Sequence, residues 1–167
     1  MNKTEVKQLA KSKGLDILEE NIKINESGVD FKVCHATDLH GENWILRIPR
    51  RQESMRHALQ EKKALEFINN YVNFEVPKWS IFSEDLIAYK QLSGAPAATI
   101  DMDKHAYVWN LDETNVPSEY YSSLGKVLAE LHTVPQQPFA SIGVDIIGAS
   151  ELRASMKQRM ARVKDKY

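Results

Sequence analysis

The sequence has almost no cysteine, since Cys34 is the only one among 167 residues. No disulfide can form within the chain, which excludes the small disulfide-stapled secreted domains and fits a reducing compartment. The sequence also lacks any run of about 18 or more apolar residues, so no membrane span is predicted. Its N-terminal segment is charged throughout and lacks the apolar core of a signal peptide. We therefore expect a cytoplasmic protein.

An excess of charge of either sign is absent as well, because 22 basic and 23 acidic residues leave a net charge of −1. Such a balance produces no global field toward nucleic acid or an anionic membrane, so we expect neither as a partner. The five histidines have no tight metal-ligand spacing and one cysteine cannot build a zinc site, so no metal site is predicted within the chain. The length is sufficient for a core without staples, and we expect a monomer.

Hydrophobic periodicity predicts an α+β organisation. Alternation of apolar and polar residues predicts strands at residues 29–36, 44–49, 79–82 and 86–89. Helical periodicity predicts helices at residues 4–13, 52–71, 118–134 and 150–167, with Ser150 as the N-cap of the last helix. Residues 91–98 contain Gly94 and Pro96 and are typical of a linker. Residues 101–115 are ambiguous, although their aromatic side chains favour a packed excursion.

Two charged residues occupy positions where apolar residues are expected. Arg47 interrupts the apolar strand 44–49, and Glu61 follows Ala58 by one helical turn on the apolar stripe of the long helix. A buried charge is costly unless it is paired, so we expect strand and helix to pack together and the two side chains to meet. A strand cation oriented by a helix glutamate is how kinases hold nucleotide phosphates. The pattern also allows a structural or solvent-exposed ion pair.

Six segments of the chain resemble the macrolide 2′-phosphotransferases: residues 24–31, 44–51, 74–79, 86–89, 94–101 and 128–132. The resemblance covers nearly all of the chain, in order and without large gaps. It implies a protein-kinase-like N-terminal nucleotide-binding lobe at residues 1–92, with an antiparallel sheet of about five strands and a long helix. It further implies an interlobe hinge at residues 93–98 and the beginning of a helical C-terminal lobe at residues 99–167.

The resemblance also implies an activity and its small-molecule partners. The family transfers the γ-phosphoryl group of a nucleotide, GTP with ATP as the alternative, to the 2′-hydroxyl of a macrolide antibiotic, which inactivates the drug. Arg47 would hold nucleotide phosphates bidentately, where most kinases use lysine, and Glu61 would orient its guanidinium.

The remaining candidate nucleotide-binding residues implied by the resemblance fall into three groups. A loop over the phosphates would comprise Asn25, Glu26, Ser27 and Gly28, although without the resemblance a single glycine favours a plain hairpin turn. The walls of the base pocket would be Ile24, Phe31 and Ile45, which as apolar residues are also good core candidates. Backbone groups that reach the base edge would come from Tyr89, Lys90, Gln91, Leu92 and Ser93.

The chain departs from the family in one respect. It contains neither the His-Gly-Asp catalytic loop nor the later Ile-Asp-Trp segment whose aspartate holds Mg²⁺. We therefore expect an N-terminal fragment that is inactive by itself, with no catalytic residue in this chain and with the Mg²⁺ ligands and most of the macrolide pocket in a further lobe. Two alternatives stay open: another small-molecule kinase, such as an aminoglycoside phosphotransferase, or a non-catalytic module that binds nucleotide or protein.

Overall fold

The computed structural model describes residues 1–101, 104, 106–112, 114–143 and 147–164. Within these ranges the chain forms two compact units, Met1–Val134 and Pro135–Tyr167. The first unit carries both β-sheets, and the second carries two helices. The lobe boundary expected at residues 93–98 stays a prediction. No helix in the described ranges combines the length and the apolar character that a membrane span needs.

Helices and strands alternate along the first unit and helices alone follow in the second. The helices are α1 (Lys3–Ser12), α2 (Gln52–Ile68), α3 (Ser118–His132), α4 (Gln137–Ser141) and α5 (Ala149–Lys164), with a short 3-10 turn at Glu19–Asn21. The strands are β1 (Lys23–Asn25), β2 (Phe31–Thr37), β3 (Asn43–Pro49), β4 (Trp79–Phe82), β5 (Ile87–Lys90), β6 (Ala98–Asp101) and β7 (Ala106–Trp109).

The main sheet has five antiparallel strands in the order β1-β2-β3-β5-β4. Its central hairpin, β2–β3, is closed by the buried carboxylate of Asp38. This carboxylate accepts hydrogen bonds from the backbone N–H of His40 at 2.8 Å and of Glu42 at 2.9 Å, and from the Trp44 indole Nε1 at 2.9 Å. Gly41 completes the turn with a φ of 83°, a conformation that favours glycine. The hairpin fixes the register of β3, on which Arg47 lies.

One face of this sheet, here called the α1 face, is covered by α1. Side chains alternate along β3, so Trp44, Leu46 and Ile48 point to this face and are buried. Helix α1 begins with a capping box between Asn2 and Glu5 and buries its apolar side against the same cluster. The further buried members of the cluster are Val6, Ala10, Leu15, Ile17, Ile22, Cys34, Ala36, Leu86 and Ala88.

The opposite face, here called the α2 face, has a smaller buried cluster. Its buried hydrophobic residues are Phe31, Ala58 of α2 and Ile87. Five partly buried residues pack against them: Val33, Met55, Trp79, Phe82 and Tyr89. Arg47 and Ile45 lie on this face between the buried residues of β3, and both are partly exposed. The α2 face is therefore the side of the sheet that is left partly open.

Most predicted elements of the main sheet are confirmed in type, with shifted ends. Helix α2 ends at Ile68 rather than at residue 71, and its Leu59 side chain is 44% exposed. Val29 is 77% exposed and precedes β2, which begins at Phe31. Strand β1 was not predicted separately, because its three residues are too few for alternation to be recognised.

Two predictions outside the main sheet were wrong in detail. Strands β6 and β7 pair with each other in antiparallel orientation, and the Tyr107 and Trp109 side chains of β7 are exposed rather than packed. Helix α5 begins at Ala149, so Ser150 lies inside the helix and is not its N-cap. The apolar side chains of Leu152, Met156 and Met160 in α5 are exposed. The predicted end of this helix, residues 165–167, lies outside the described residues.

Candidate functional site

Arg47 and Glu61 meet on the α2 face, as the periodicities of strand and helix predict. The Arg47 Nη1 lies 2.6 Å from Glu61 Oε1, and Nη2 lies 3.0 Å from Oε2, so the carboxylate accepts two parallel hydrogen bonds. The Arg47 side chain is 17% exposed and that of Glu61 is 42% exposed. Bidentate geometry fixes the plane of the guanidinium, whereas a lysine would offer a rotating point charge.

Two aromatic rings flank the Arg47 guanidinium. Its Cζ lies 4.3 Å from the centroid of Phe31 and 5.4 Å from that of Trp79. Trp79 is in turn stacked against Phe82, with ring centroids 5.6 Å apart, and against Tyr89, at 6.4 Å. Burial raises the pKa of the Tyr89 phenol. The cation thus lies in an aromatic environment that restrains its position and strengthens its electrostatic interactions.

Strand register places two rows of side chains on the α2 face. In the first row, Arg47 is opposite Val33 and Ile87, and Val33 is opposite Asn25. The neighbouring row toward the end of β5 comprises Ile45 with Tyr89, His35 and Lys23. The cation and a partly apolar wall are therefore adjacent on one open surface.

Ile24 does not belong to that surface. It pairs with Cys34 and packs against the buried cluster of the α1 face. Because neighbouring residues of a strand point to opposite faces, Ile24 is separated by the sheet from Phe31 and Ile45. The three residues expected to form one wall are thus divided, and only Phe31 and Ile45 share the face that carries Arg47.

The loop 25–28 has a defined turn geometry. Asn25 Oδ1 accepts hydrogen bonds from the Ser27 backbone N–H at 2.9 Å and from the Ser27 hydroxyl at 2.6 Å. Glu26 forms ion pairs with Lys32 and Arg50, each at 2.7 Å, and hydrogen bonds from these two cations lower the pKa of its carboxyl. Its negative charge is therefore compensated beside a surface that would receive phosphates.

Gly28 lies so close to the start of β2 that a Cβ built on it would be 2.4 Å from the Phe31 carbonyl oxygen. A side chain at this position cannot be accommodated without moving the backbone, so glycine is required by close approach. The backbone N–H groups of Gly28 and Val29 donate no hydrogen bond to any described residue. These N–H groups, next to the strand residue whose ring contacts Arg47, are available to an anion.

The predicted hinge contributes fewer free backbone groups than expected. Tyr89 and Lys90 pair with Ile45 and Trp44 in the β3–β5 ladder, and the Gln91 N–H donates to the Asn43 carbonyl at 2.8 Å. Leu92 and Ser93 follow the ladder, and their backbone groups have no hydrogen-bond partner within the described ranges. The Ser93 hydroxyl donates to Glu75 at 3.1 Å. The base edge therefore has Leu92 and Ser93 as its candidate backbone partners.

A cavity with a volume of about 850 Å³ lies at this end of the sheet. Its lining includes Lys90, Gln91, Leu92 and Ser93, together with residues that precede β4. Lys90 also forms an ion pair with Glu42 at 2.8 Å, which raises the pKa of the lysine. Arg47 is not among the lining residues, so the cavity and the cation are separate features of the same unit.

Within the described ranges, no group of three or more His, Cys, Asp or Glu side chains could hold a metal ion. Mg²⁺ in nucleotide sites is usually held by one or two carboxylates together with the phosphates, so no Mg²⁺ ligand is assigned to these residues. Cys34 is fully buried on the α1 face, and burial raises the pKa of its thiol to about 11, so it is no nucleophile.

Sequence reasoning missed Trp79 and His35 as members of the α2 face. Trp79 lies on β4, two strands away from Arg47 in the sheet, and no local pattern links the two. His35 shares a row with Ile45, which follows only from the β2–β3 register. Alternation along β2 is the one signal that could have found His35, because Phe31 and Val33 precede it at the same parity.

Residues 21–167 match a family described as APH, Phosphotransferase enzyme family. A curated relative, the "Uncharacterized protein YcbJ" of Bacillus subtilis (strain 168), is 38% identical over 163 residues. That alignment covers 98% of this chain and 53% of the relative. The chain thus spans about half the length of the relative it matches.

Solved structures extend the same similarity. Macrolide 2′-phosphotransferase MphH from Brachybacterium faecium, as apoenzyme, superimposes with a TM-score of 0.84 at 32% identity, covering 98% of this chain and 54% of that one. A type I macrolide 2′-phosphotransferase gives a TM-score of 0.79 at 28% identity, with the same coverage of both chains. A GDP and kanamycin complex of APH(2")-IIia gives 0.68 at 15% identity over 96% of this chain and 51% of that one, which shows the fold alone.

These similarities confirm two expectations drawn from the sequence. The α+β fold with its five-stranded antiparallel sheet and helices is that of the kinase-like N-terminal lobe of antibiotic phosphotransferases. The resemblance to macrolide 2′-phosphotransferases is confirmed over nearly the whole chain, which corresponds to about half of each of those enzymes. The roles of the individual site residues stay predictions.

Proposed function

Because the chain belongs to the phosphotransferase enzyme family, we propose that it is the nucleotide-binding part of a macrolide 2′-phosphotransferase. The complete enzyme would transfer the γ-phosphoryl group of GTP to the 2′-hydroxyl of a macrolide antibiotic. The relatives at 32% and 28% identity that carry this name support the macrolide as acceptor over an aminoglycoside. The proposal covers the cytoplasmic location and the monomeric state as well.

The single observation that carries the proposal is the bidentate Arg47–Glu61 pair on the open face of the sheet. An ion pair that only stabilises the fold does not require a partly open surface, two parallel hydrogen bonds or flanking aromatic rings. A cation held in one orientation by a helix carboxylate is the arrangement by which kinases bind nucleotide phosphates. The close contact of the loop with Phe31 supports the same role, because it brings free N–H groups to that surface.

The chemistry assigned to this chain is binding and orientation. Arg47 stabilises negative charge on the phosphates, and Gly28 and Val29 offer backbone N–H groups to the same anion. Ile45 and Tyr89 form an apolar wall for the base, and Leu92 and Ser93 offer backbone groups to its edge. Positioning of this kind accounts for most of phosphoryl-transfer catalysis, since the protein has little covalent chemistry to do.

Nucleotide binding is the direct test. Isothermal titration of the purified chain with GTP and with ATP, with and without Mg²⁺, should detect binding that Arg47→Ala weakens at least about tenfold, since hydrogen bonds to charged groups are lost. Arg153→Ala, a change at an exposed arginine of α5, is the matched control and should bind like the wild type. Equal affinities of Arg47→Ala and the wild type would contradict the assigned role.

The transferase step has its own test. The sequence contains no His-Gly-Asp segment for a catalytic base, so we expect no phosphorylation of erythromycin by these 167 residues. Measurable transfer from GTP to erythromycin, followed by mass spectrometry, would overturn that part of the proposal. A chain twice as long, comparable with its relatives, should phosphorylate erythromycin but not kanamycin; the reverse preference would favour an aminoglycoside substrate.

A further inference from the structure

We propose that position 47 requires a guanidinium rather than any cation, because Phe31 and Trp79 hold this group so that a second hydrogen-bonding edge faces the nucleotide. This inference rests on the proposed function and deepens it, since it specifies how the phosphates are recognised. It makes Phe31 and Trp79 positioning residues, which act on the phosphates through Arg47.

The first step concerns the edges of the guanidinium. Its five N–H donors form a rigid fork, and Glu61 accepts one donor from each Nη. The Nε–H and the outer N–H of Nη2 then form a second edge on the same plane. Neither group donates to another described residue, and 17% of the side chain is exposed. Two oxygens of a phosphate fit this edge bidentately, as a carboxylate fits the first.

The second step concerns what holds the plane. Phe31 lies on β2, which is next to β3, and Trp79 lies on β4, which is separated from β3 by β5. With its Cζ at 4.3 Å and 5.4 Å from the two ring centroids, the cation is near both rings, and these restrain its position. An ammonium at this position would keep the charge, but it has neither a plane for the rings to hold nor a second edge.

The third step concerns why position 79 of β4 is a tryptophan rather than another large apolar residue. The Trp79 Nε1 is buried and has no hydrogen-bond partner among the described residues. A buried donor without a partner is unfavourable, so an apolar side chain of similar size would fill the space at lower cost. What tryptophan adds is the largest π face, which makes the best partner for a cation. The contact with Arg47 therefore explains a residue that packing alone does not favour.

Comparison of GTP with guanosine separates this role from a merely structural one. In calorimetric titrations, Arg47→Lys should weaken GTP binding by about tenfold or more. Phe31→Leu and Trp79→Leu should each weaken it by about threefold. Guanosine lacks phosphates, so its affinity should be the same in Arg47→Lys and the wild type, and in the two leucine variants it should fall less than that of GTP. Arg153→Lys, a change at an exposed arginine, and Phe67→Leu, a change at an α2 ring that contacts Tyr71, are the matched controls.

A second measurement uses the wild-type chain alone, so it does not depend on whether a variant folds. The Arg47 Nε–H resonance in a ¹⁵N-labelled chain should be displaced by the ring currents of Phe31 and Trp79, and it should shift again when GTP or inorganic triphosphate is added. Retained GTP affinity in Arg47→Lys, or an Nε–H resonance that does not respond to triphosphate while GTP binds, would overturn the inference and leave the proposed function standing. If the wild type binds neither GTP nor triphosphate, the proposed function fails and the inference fails with it.

Discussion

The two faces of the main sheet use the same strands for different purposes. The α1 face is closed by a helix and carries twelve buried residues, none of them charged. The hydrophobic cluster of the α2 face has three buried residues. On the same face lies Arg47, which forms a salt bridge with Glu61 and is flanked by the rings of Phe31 and Trp79. Since neighbouring residues of β3 alternate between these faces, a single strand supplies both the core and the candidate site. The difference indicates that stability and binding can be altered separately.

The sharpest test of this comparison uses neighbouring residues of β3. Leu46 is fully buried on the α1 face, whereas Ile45 is partly exposed on the α2 face. Leu46→Ala should lower the free energy of unfolding by about 3 kcal/mol, because it removes apolar contacts and leaves a cavity. Ile45→Ala should lower it by about 1 kcal/mol, since part of its side chain stays in contact with water in the folded state. Urea unfolding measures both; equal losses would contradict the division between faces.

A second test uses pH to probe the closed face. Burial raises the pKa of Cys34 from 9.0 to about 11. Below pH 9 both states keep the proton; between pH 9 and 11 the unfolded thiol ionises first, so the free energy of unfolding falls as pH rises. The two-unit difference corresponds to about 2–3 kcal/mol by pH 11.

The control for that titration is Cys34→Ala, which keeps every tyrosine and lysine of the chain. The free energy of unfolding of this variant, measured with urea at several pH values, should fall less steeply between pH 9 and 11 than that of the wild type. Parallel pH profiles would mean that the thiol is reached by water and that the α1 face is not closed.

A third test compares alanine substitutions at Gly28, which lies beside Phe31 of the α2 face, and at Gly125 of α3. Gly28→Ala should destabilise the chain by about 2 kcal/mol, because the added Cβ would overlap the Phe31 carbonyl. Gly125 of α3 has nothing within 4 Å of a built Cβ, so Gly125→Ala should stabilise the chain by about 1 kcal/mol. Thermal melts measure whether each substitution raises or lowers the stability. Stabilisation by Gly28→Ala would show that the loop 25–28 does not pack closely against Phe31.

The smallest expected effect on stability belongs to the candidate site itself. Glu61 is 42% exposed, so solvent screens its pair with Arg47, and the interaction should contribute about 1 kcal/mol or less to stability. A double-mutant cycle of Arg47→Ala and Glu61→Gln, followed by urea unfolding, isolates that energy. A coupling as large as the loss in Leu46→Ala would make the pair a structural element and weaken its functional assignment.

Local patterns were enough to predict several parts of this arrangement. Alternation along β3 identified which residues share a face, and helical spacing put Glu61 on the side of α2 that meets the sheet. The family resemblance supplied the rest of the lobe, because its segments match in order along the chain. The hinge prediction was only partly informative: the ladder already uses the Gln91 N–H, a fact that depends on where β3 begins.

Other parts depended on contacts between distant segments. Ile24 was assigned to the base pocket by the family resemblance, yet the three-residue strand β1 turns it to the α1 face. Exposure of Tyr107 and Trp109 could not be read from their apolar character, since the same residues suit a packed or an open hairpin.

The sequence by itself determined the local periods: which residues form strands and helices, and that Arg47 and Glu61 interrupt two apolar surfaces. Those periods arise from backbone geometry that each segment carries independently. Only the tertiary structure decided that the two charges form a bidentate salt bridge and that Phe31 and Trp79 flank the arginine. It also decided that Ile24 lies on the α1 face of the sheet. These outcomes depend on strand order and register, which arise when segments far apart in the chain bury their surfaces together.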